Sequence, residues 1–368
     1  MSQARIDLVR ARLAEHSVDA LIVNRYENRR WLSGVRAHDA SPTATAGWLI
    51  VTPDAALFVT SFLYYGAAVV EADGVEVVEI PQDQRLHETA AEQLRRLGAK
   101  RVGFEEAWLT VQTHRELREK LAGAAELVPI HKAVVDQLRA VKDERELASI
   151  RHAVALSDAA MEALFGELKP GMTEKEAAWF LEAHMRQHGA DGMAFGPDVA
   201  SGPNGAVPHH TPTDRAIQVG EPIWIDTGAV VDGYHSDVTR TVLLGRPDEQ
   251  YRRLWHGVLE AQKRVIDFLR PGRGGTEADA LAREYLGSVG LADAFKHGLG
   301  HGVGLQIHEL PRLSRFADED AKLASGMTVT VEPGAYLDGW GGVRHEELTV
   351  LTDDGVEVLT RAPKPFTL

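Results

Sequence analysis

The 368-residue chain contains no cysteine. That excludes disulfide bonds, thiolate metal ligands and a cysteine nucleophile, and it fits a reducing cytoplasm. Long apolar runs are missing as well. No window approaches the ~20 consecutive apolar residues of a membrane-crossing helix. The N-terminal MSQARIDLVRARLAEHSVDALIV scatters charge throughout and has no apolar core followed by small residues, so a secretory leader is not expected. Basic residues are in deficit: 40 Lys and Arg stand against 54 Asp and Glu, a net charge of −14. Such an acidic chain is expected to bind neither nucleic acid nor anionic membranes. A GxSxG elbow, a GxxxxGK phosphate loop and an HExxH pair are also absent.

What is present is globular in character, with 44% hydrophobic and 26% charged residues. The length allows two domains. Apolar spacing predicts a helix over 4–17 and others over 89–100 and 114–123. Between them lie β-rich runs at 19–23, 47–53, 55–60, 75–80, 101–105 and 125–130. This alternation predicts a small α/β domain over 1–134. The boundary is placed near 134–141, and residues 135–368 form the second domain. That part opens helix-rich, with Thr173 and Glu176 spaced as a capping box, and turns β-rich after residue 195 with two further helices, an α+β pattern. Repeats with a period of 20–50 residues are not evident.

Three segments carry the chemistry. EPIWIDTGAVVDGYHSDVTRTVLL (221–244) reads as two strands around a turn at Val231-Asp232-Gly233. Asp226 and Asp237 are 11 residues apart. An odd separation allows direct opposition across a hairpin, where like charges repel unless a cation intervenes. KHGLGHGVGLQIHELPRL (296–313) sets His297, His301 and His308 among alternating glycines, a spacing that matches neither a zincin helix nor a dinucleotide fingerprint. TVTVEPGAYLDGWGGVRHEELTVLT (328–352) places Glu332 at the end of one β-branched run and Glu346 at the start of another. Four carboxylates and one histidine exceed what one zinc ion takes and suit a pair of divalent cations. His209 and His210 follow the Gly/Pro-rich stretch that begins at Val199; on the residues alone their role stays open.

DTGAVVDGYHSDVTRT, GLGHGVGLQIHELPR, VEPGAY and GVRHEE together resemble the M24, or pita-bread, metallopeptidases. DALIVNRYENRRWLSGV and LRAVKDERELASIRHA extend the resemblance over nearly the whole chain, to the creatinase/prolidase N-terminal domain and the opening of the catalytic domain. The resemblance implies a creatinase/prolidase-type α/β domain followed by an α+β pita-bread domain. It implies two divalent ions per chain, manganese first, with cobalt or zinc as alternatives. Asp226 would chelate one ion, Asp237 and Glu346 would bridge both, and His301 and Glu332 would complete the second. A hydroxide shared by the ions would attack the peptide bond, with Glu332 doubling as proton shuttle. His209 and His308 would line the scissile bond, His209 helping to stabilise the oxyanion, and His297 falls on a histidine of proline-directed members. Thr239 and Arg344 would orient the carboxylates from behind.

Within that family, the separate N-terminal domain disfavours a methionine aminopeptidase, and the intact ligand set disfavours the metal-free creatinases. The HELPR segment resembles the HExPR of prolidases, where Arg312 would pair with a dipeptide's C-terminal carboxylate. The expectation is therefore a cytoplasmic, homodimeric Xaa-Pro dipeptidase acting on small proline-containing peptides. Aminopeptidase P, which acts on longer peptides, is the alternative enzyme, and a non-catalytic binding module on the same fold is the alternative of another class. His345 departs from the family pattern, which favours an aliphatic residue there.

Overall fold

A computed structural model describes residues 2–39, 41, 43–131 and 134–368. The chain divides into two compact units between Arg139 and Ala140. The first contains strands β1 (Ala20–Val23), β2 (Gly47–Val51), β3 (Ala56–Thr60), β4 (Glu76–Glu79), β5 (Arg101–Glu105) and β6 (Glu126–Ile130), in the sheet order β4-β3-β2-β1-β5-β6. β1, β2 and β3 are buried along their whole length, which is why they read as unbroken apolar runs and not as alternating ones. The unit's helices are α1 (Ser2–Leu13), α2 (Tyr26–Ser33), α3 (Phe62–Glu71), α4 (Leu86–Arg96), α5 (Val111–Leu121) and α6 (Val134–Arg139). Ile22, Trp48, Ile50, Leu94, Val102 and Leu117 close the core.

Sequence spacing did not indicate α2. Its first turn has no local side-chain cap. The cap comes instead from Glu105 at the end of β5, which accepts hydrogen bonds from Asn24 N (2.8 Å) and Arg25 N (2.9 Å) and from the Asn28 amide. Burial, reinforced by Asp136, pushes the Glu105 carboxyl up to about 7 despite those donors. A carboxylate raised in the folded state contributes stability below its unfolded pKa and loses it as pH rises through the folded value. The first unit is therefore expected to lose stability between about pH 4.5 and 7, and Glu105→Gln to flatten that dependence. Thermal melts from pH 4.5 to 8 check this; an unchanged slope in the variant would contradict it.

The second unit consists of two similar halves. α7 (Glu144–Glu167) and α8 (Glu174–Gln187) precede β7 (Gly192–Met193), β8 (Asp198–Ser201), β9 (Pro222–Thr227), β10 (Ala229–Val231), β11 (Tyr234–His235) and β12 (Val238–Leu243). Then α9 (Glu249–Phe268) and α10 (Gly275–Ser288) precede β13 (Gly300–Gly302), β14 (Glu309–Leu313), β15 (Thr328–Val331), β16 (Gly334–Leu337), β17 (Gly341–Arg344), β18 (Glu347–Leu351) and β19 (Val356–Val358). Leu168-Lys169-Pro170-Gly171 and Leu269-Arg270-Pro271-Gly272 mark the same corner in each half. In both, a glutamate side chain reaches back to the residue before its helix: Glu176 to Thr173 N (2.8 Å) and Glu277 to Gly274 N (2.6 Å). Thr173 and Gly274 are 101 positions apart, far outside a 20–50-residue period. Each half has its own core, Leu156, Met161, Ile223 and Val242 in the first, Leu254, Val258, Val329 and Val343 in the second.

Candidate active site

One cavity of about 810 Å³ in the second unit gathers most of the chemistry-bearing residues. Asp226, Asp237, His301, Glu332 and Glu346 all line it, as do His209, His297, His308, Arg312 and Arg344. Thr239 stands directly behind them. It is fully buried and donates to Glu346 Oε2 at 2.8 Å.

The two aspartates reach the cavity by a different register from the expected one. Asp226 on β9 is paired with Thr239, and the same register continues through Val230↔His235 and Val231↔Tyr234. The turn is two residues, Asp232 and Gly233, with φ of 48° and 75°. Positive φ at both central residues is the signature of the tight hairpin turn that matches strand twist. It centres the pairing so that Asp237 lies two residues off direct opposition to Asp226. The pair are diagonal neighbours, close enough to share a cation and less mutually repelled than opposed charges.

Glycine alternation in 298–304 has a steric cause. A Cβ on Gly300 would lie 2.0 Å from the Thr330 carbonyl oxygen. That close approach brings β13 onto β15, so that His301 N donates to Thr330 Oγ1 at 3.0 Å. His301 Nδ1 lies 3.1 Å from the Gly302 carbonyl. A carbonyl only accepts, so Nδ1 carries a proton, and Nε2 is the nitrogen turned toward the carboxylates. Nε2 lies 3.2 Å from Glu332 Oε1 and 3.7 Å from Asp237 Oδ2. Asp237, His301 and Glu346 each offer a ligand atom within 4.8 Å of the others.

The electrostatics of this cluster are those of anions without enough cation. Burial first, then Glu346 and Asp226, push Asp237 far above the ordinary carboxylate range. Burial, with Glu332 and Asp226 nearby, does the same to Glu346. Burial raises Asp226 too, against the pull of Arg344. Glu332 differs: burial opposes its charge, but His301, His297 and Arg344 outweigh that and hold it low. Asp226 Oδ1 is buried with no hydrogen-bond partner. Crowded carboxylates, an orphaned oxygen and an imidazole nitrogen turned toward them fit divalent cations.

Arg344 organises the back of the site. Its guanidinium donates to Asp226 Oδ2 (2.7 Å), Thr239 Oγ1 (3.2 Å), Tyr336 Oη (2.8 Å) and the Pro208 carbonyl (3.1 Å), and lies over the Trp224 ring at 4.3 Å. Tyr336 Oη also meets His297 Nε2 at 3.0 Å. The His308 ring sits 4.2 Å from that of His301. Burial, then the charge of His301, lowers the His308 pKa to about 4, so the ring is neutral at neutral pH. Arg312 is exposed and faces His301 across β13–β14. His345 is buried against the Trp255 edge with neither ring nitrogen paired.

Three functional features escaped the sequence. Tyr336 connects His297 to Arg344. Asp198 lines the cavity opposite Asp226, and burial and that neighbour push its pKa up to about 6. Glu174, fully buried, accepts from Ser201, Asn204 and Thr213 and meets His210 Nε2 at 2.9 Å. With Arg344 holding Pro208, this fixes both sides of the loop that carries His209. Glu174 reads in sequence as an ordinary first-turn glutamate, and nothing local signals its partners.

The sequence profile of the creatinase/prolidase N-terminal domain matches residues 5–141, and that of metallopeptidase family M24 matches 148–353. A Xaa-Pro dipeptidase of Pyrococcus horikoshii is 33% identical over 350 residues, 95% of each chain. The solved structure of a Xaa-Pro dipeptidase from Bacillus anthracis superposes with a TM-score of 0.93 at 35% identity, covering 100% of both chains. An X-Pro aminopeptidase from Thermotoga maritima gives 0.84 at 33% identity, covering 96% of this chain and 98% of that one. A creatinase/prolidase-type N-terminal domain and a pita-bread domain with this cavity are the two parts of one enzyme, and the chain belongs to metallopeptidase family M24.

Proposed function

We propose that the chain hydrolyses the Xaa-Pro bond of dipeptides, with two divalent ions held by Asp226, Asp237, His301, Glu332 and Glu346. The observation that carries this is the packing of Asp237, His301 and Glu346 within 4.8 Å, beside a buried Asp226 oxygen that has no partner. Manganese is the first expectation for the metal, with cobalt or zinc as alternatives. Divalent ions bound there supply Lewis acidity, making water a better nucleophile and polarising the scissile carbonyl. Glu332, kept charged by His301, takes the water proton and passes it to the leaving nitrogen. His308, kept neutral by burial, lines the scissile bond, and His209 helps to stabilise the negative charge that develops on the carbonyl oxygen. His297, fixed by Tyr336, borders the proline side. By family analogy the working form is a cytoplasmic homodimer; among the described residues no helix is long and apolar enough to cross a membrane.

Arg312 decides the length of the peptide. Its exposed position opposite His301 suits a bidentate pair with a dipeptide's carboxylate. Turnover of Ala-Pro against an Xaa-Pro-Pro tripeptide, with Mn²⁺ present, tests the reading. Cleavage of the tripeptide alone would favour aminopeptidase P, to which the Thermotoga maritima neighbour lends support. Arg312→Ala is expected to lower kcat/KM on Ala-Pro by about 10–100-fold while sparing the tripeptide. An equal loss on both substrates would remove Arg312 from that role. Protein that binds no divalent ion and cleaves neither substrate would instead be a binding module.

A further inference from the structure

With Asp226, Asp237, Glu332 and Glu346 assigned to metal, Asp198 is the one carboxylate left among the described residues lining the cavity. It stands opposite Asp226 across β8–β9, so both side chains project from the same face. It is half-buried. Arg344, which lines the same cavity, is already committed to Asp226, Thr239, Tyr336 and the Pro208 carbonyl. Asp198 therefore presents a negative charge to the cavity with no dedicated counter-ion.

The cavity has a second pole. Asp198 stands opposite Asp226 across β8–β9. Arg312 stands opposite His301 across β13–β14, and both line the cavity. Asp198 is thus at the Asp226 end and Arg312 at the His301 end. A dipeptide is a zwitterion whose ammonium precedes the scissile bond and whose carboxylate follows it. With the carboxylate at Arg312, the ammonium falls toward Asp198.

We propose that Asp198 binds the free α-ammonium of the substrate and is the residue through which this chain requires an unblocked N-terminus. A half-buried carboxylate gains a charge-assisted hydrogen bond from an ammonium and is left unpaired by a substrate that lacks one. The assignment rests on the peptidase reading and takes its direction along the cavity from the Arg312 pairing; its test applies at either length, because a free amine precedes the bond in dipeptides and longer peptides alike.

The test compares Ala-Pro with propanoyl-Pro, which has hydrogen in place of the amine. The same pair extended by a further proline is run in parallel. The propanoyl compounds are measured as competitive inhibitors, so they need not be cleaved. In Asp198→Asn the KM for the amine-bearing peptide is expected to rise about tenfold, with kcat within about twofold. The inhibition constant of the propanoyl compound is expected to stay within about twofold. Equal weakening of both ligands, or no weakening of either, overturns the proposal. So does a fall in bound metal with equal losses on both, which would make Asp198 a further metal ligand. Should Asp198→Asn fail to fold by near-ultraviolet circular dichroism, Asp198→Ser gives the same comparison. Which peptide length is cleaved tests the dipeptidase reading separately, since the amine comparison is made within each length.

Discussion

Asp237→Asn is expected to lower kcat on Ala-Pro by about a thousandfold or more, while the metal-stripped variant melts a few degrees above metal-stripped wild type. The two effects share one cause. Asp237 is almost fully buried among Asp226, Glu332 and Glu346, and its pKa is driven upward by burial first and by those neighbours second. Without metal, a carboxylate raised in this way contributes stability at low pH and loses it as pH rises through the raised value. Metal reverses the sign, because ligands must be deprotonated to bind and binding then stabilises the fold. Melting curves from pH 5 to 8, with and without Mn²⁺, are therefore expected to diverge toward high pH for wild type and much less for Asp237→Asn. Activity within tenfold of wild type would contradict the assignment of Asp237 as a ligand. Lower stability of the stripped variant would contradict the electrostatic account.

Arg344→Lys is expected to cost about 10–100-fold in kcat and to weaken metal binding by a comparable factor. The substitution keeps the charge, so charge alone predicts little change. Arg344 instead serves four partners from one planar fork, Asp226, Thr239, Tyr336 and the Pro208 carbonyl, while stacking on Trp224. An ammonium can match neither the spread of those acceptors nor the flat contact with indole. Metal titration by calorimetry and steady-state kinetics check the two parts. Wild-type kcat in the lysine variant would reduce Arg344 to a point charge.

Residues whose setting is local were legible. The runs that became β1, β2, β3 and β5 announced themselves by composition, and Thr173 with Glu176 marked a helix start within four residues. The five acidic and histidine positions stood out because glycine, β-branched and turn residues framed each of them. What could not be read depends on partners far along the chain. The start of α2 is capped from Glu105, 80 positions past Arg25. The offset of Asp226 from Asp237 is set by which residues take positive φ at the turn, and the choice between Val231-Asp232 and Asp232-Gly233 changes the pairing by two. Glu174, Asp198 and Tyr336 have unremarkable neighbours in sequence and acquire their roles only from the residues they meet in space.

The two halves of the second unit each have a core of their own, yet neither holds the whole of the proposed ligand set. Asp226 and Asp237 belong to the first half; His301, Glu332 and Glu346 belong to the second. The proposed site is thus a seam, one already crossed by protein bonds such as Arg344 to Asp226 and Thr239 to Glu346, and a divalent ion held there would add a further tie. Without such an ion, two intact cores would be held by fewer bonds. The seam is where protease nicking and hydrogen exchange would first report an empty enzyme, before either core loosens.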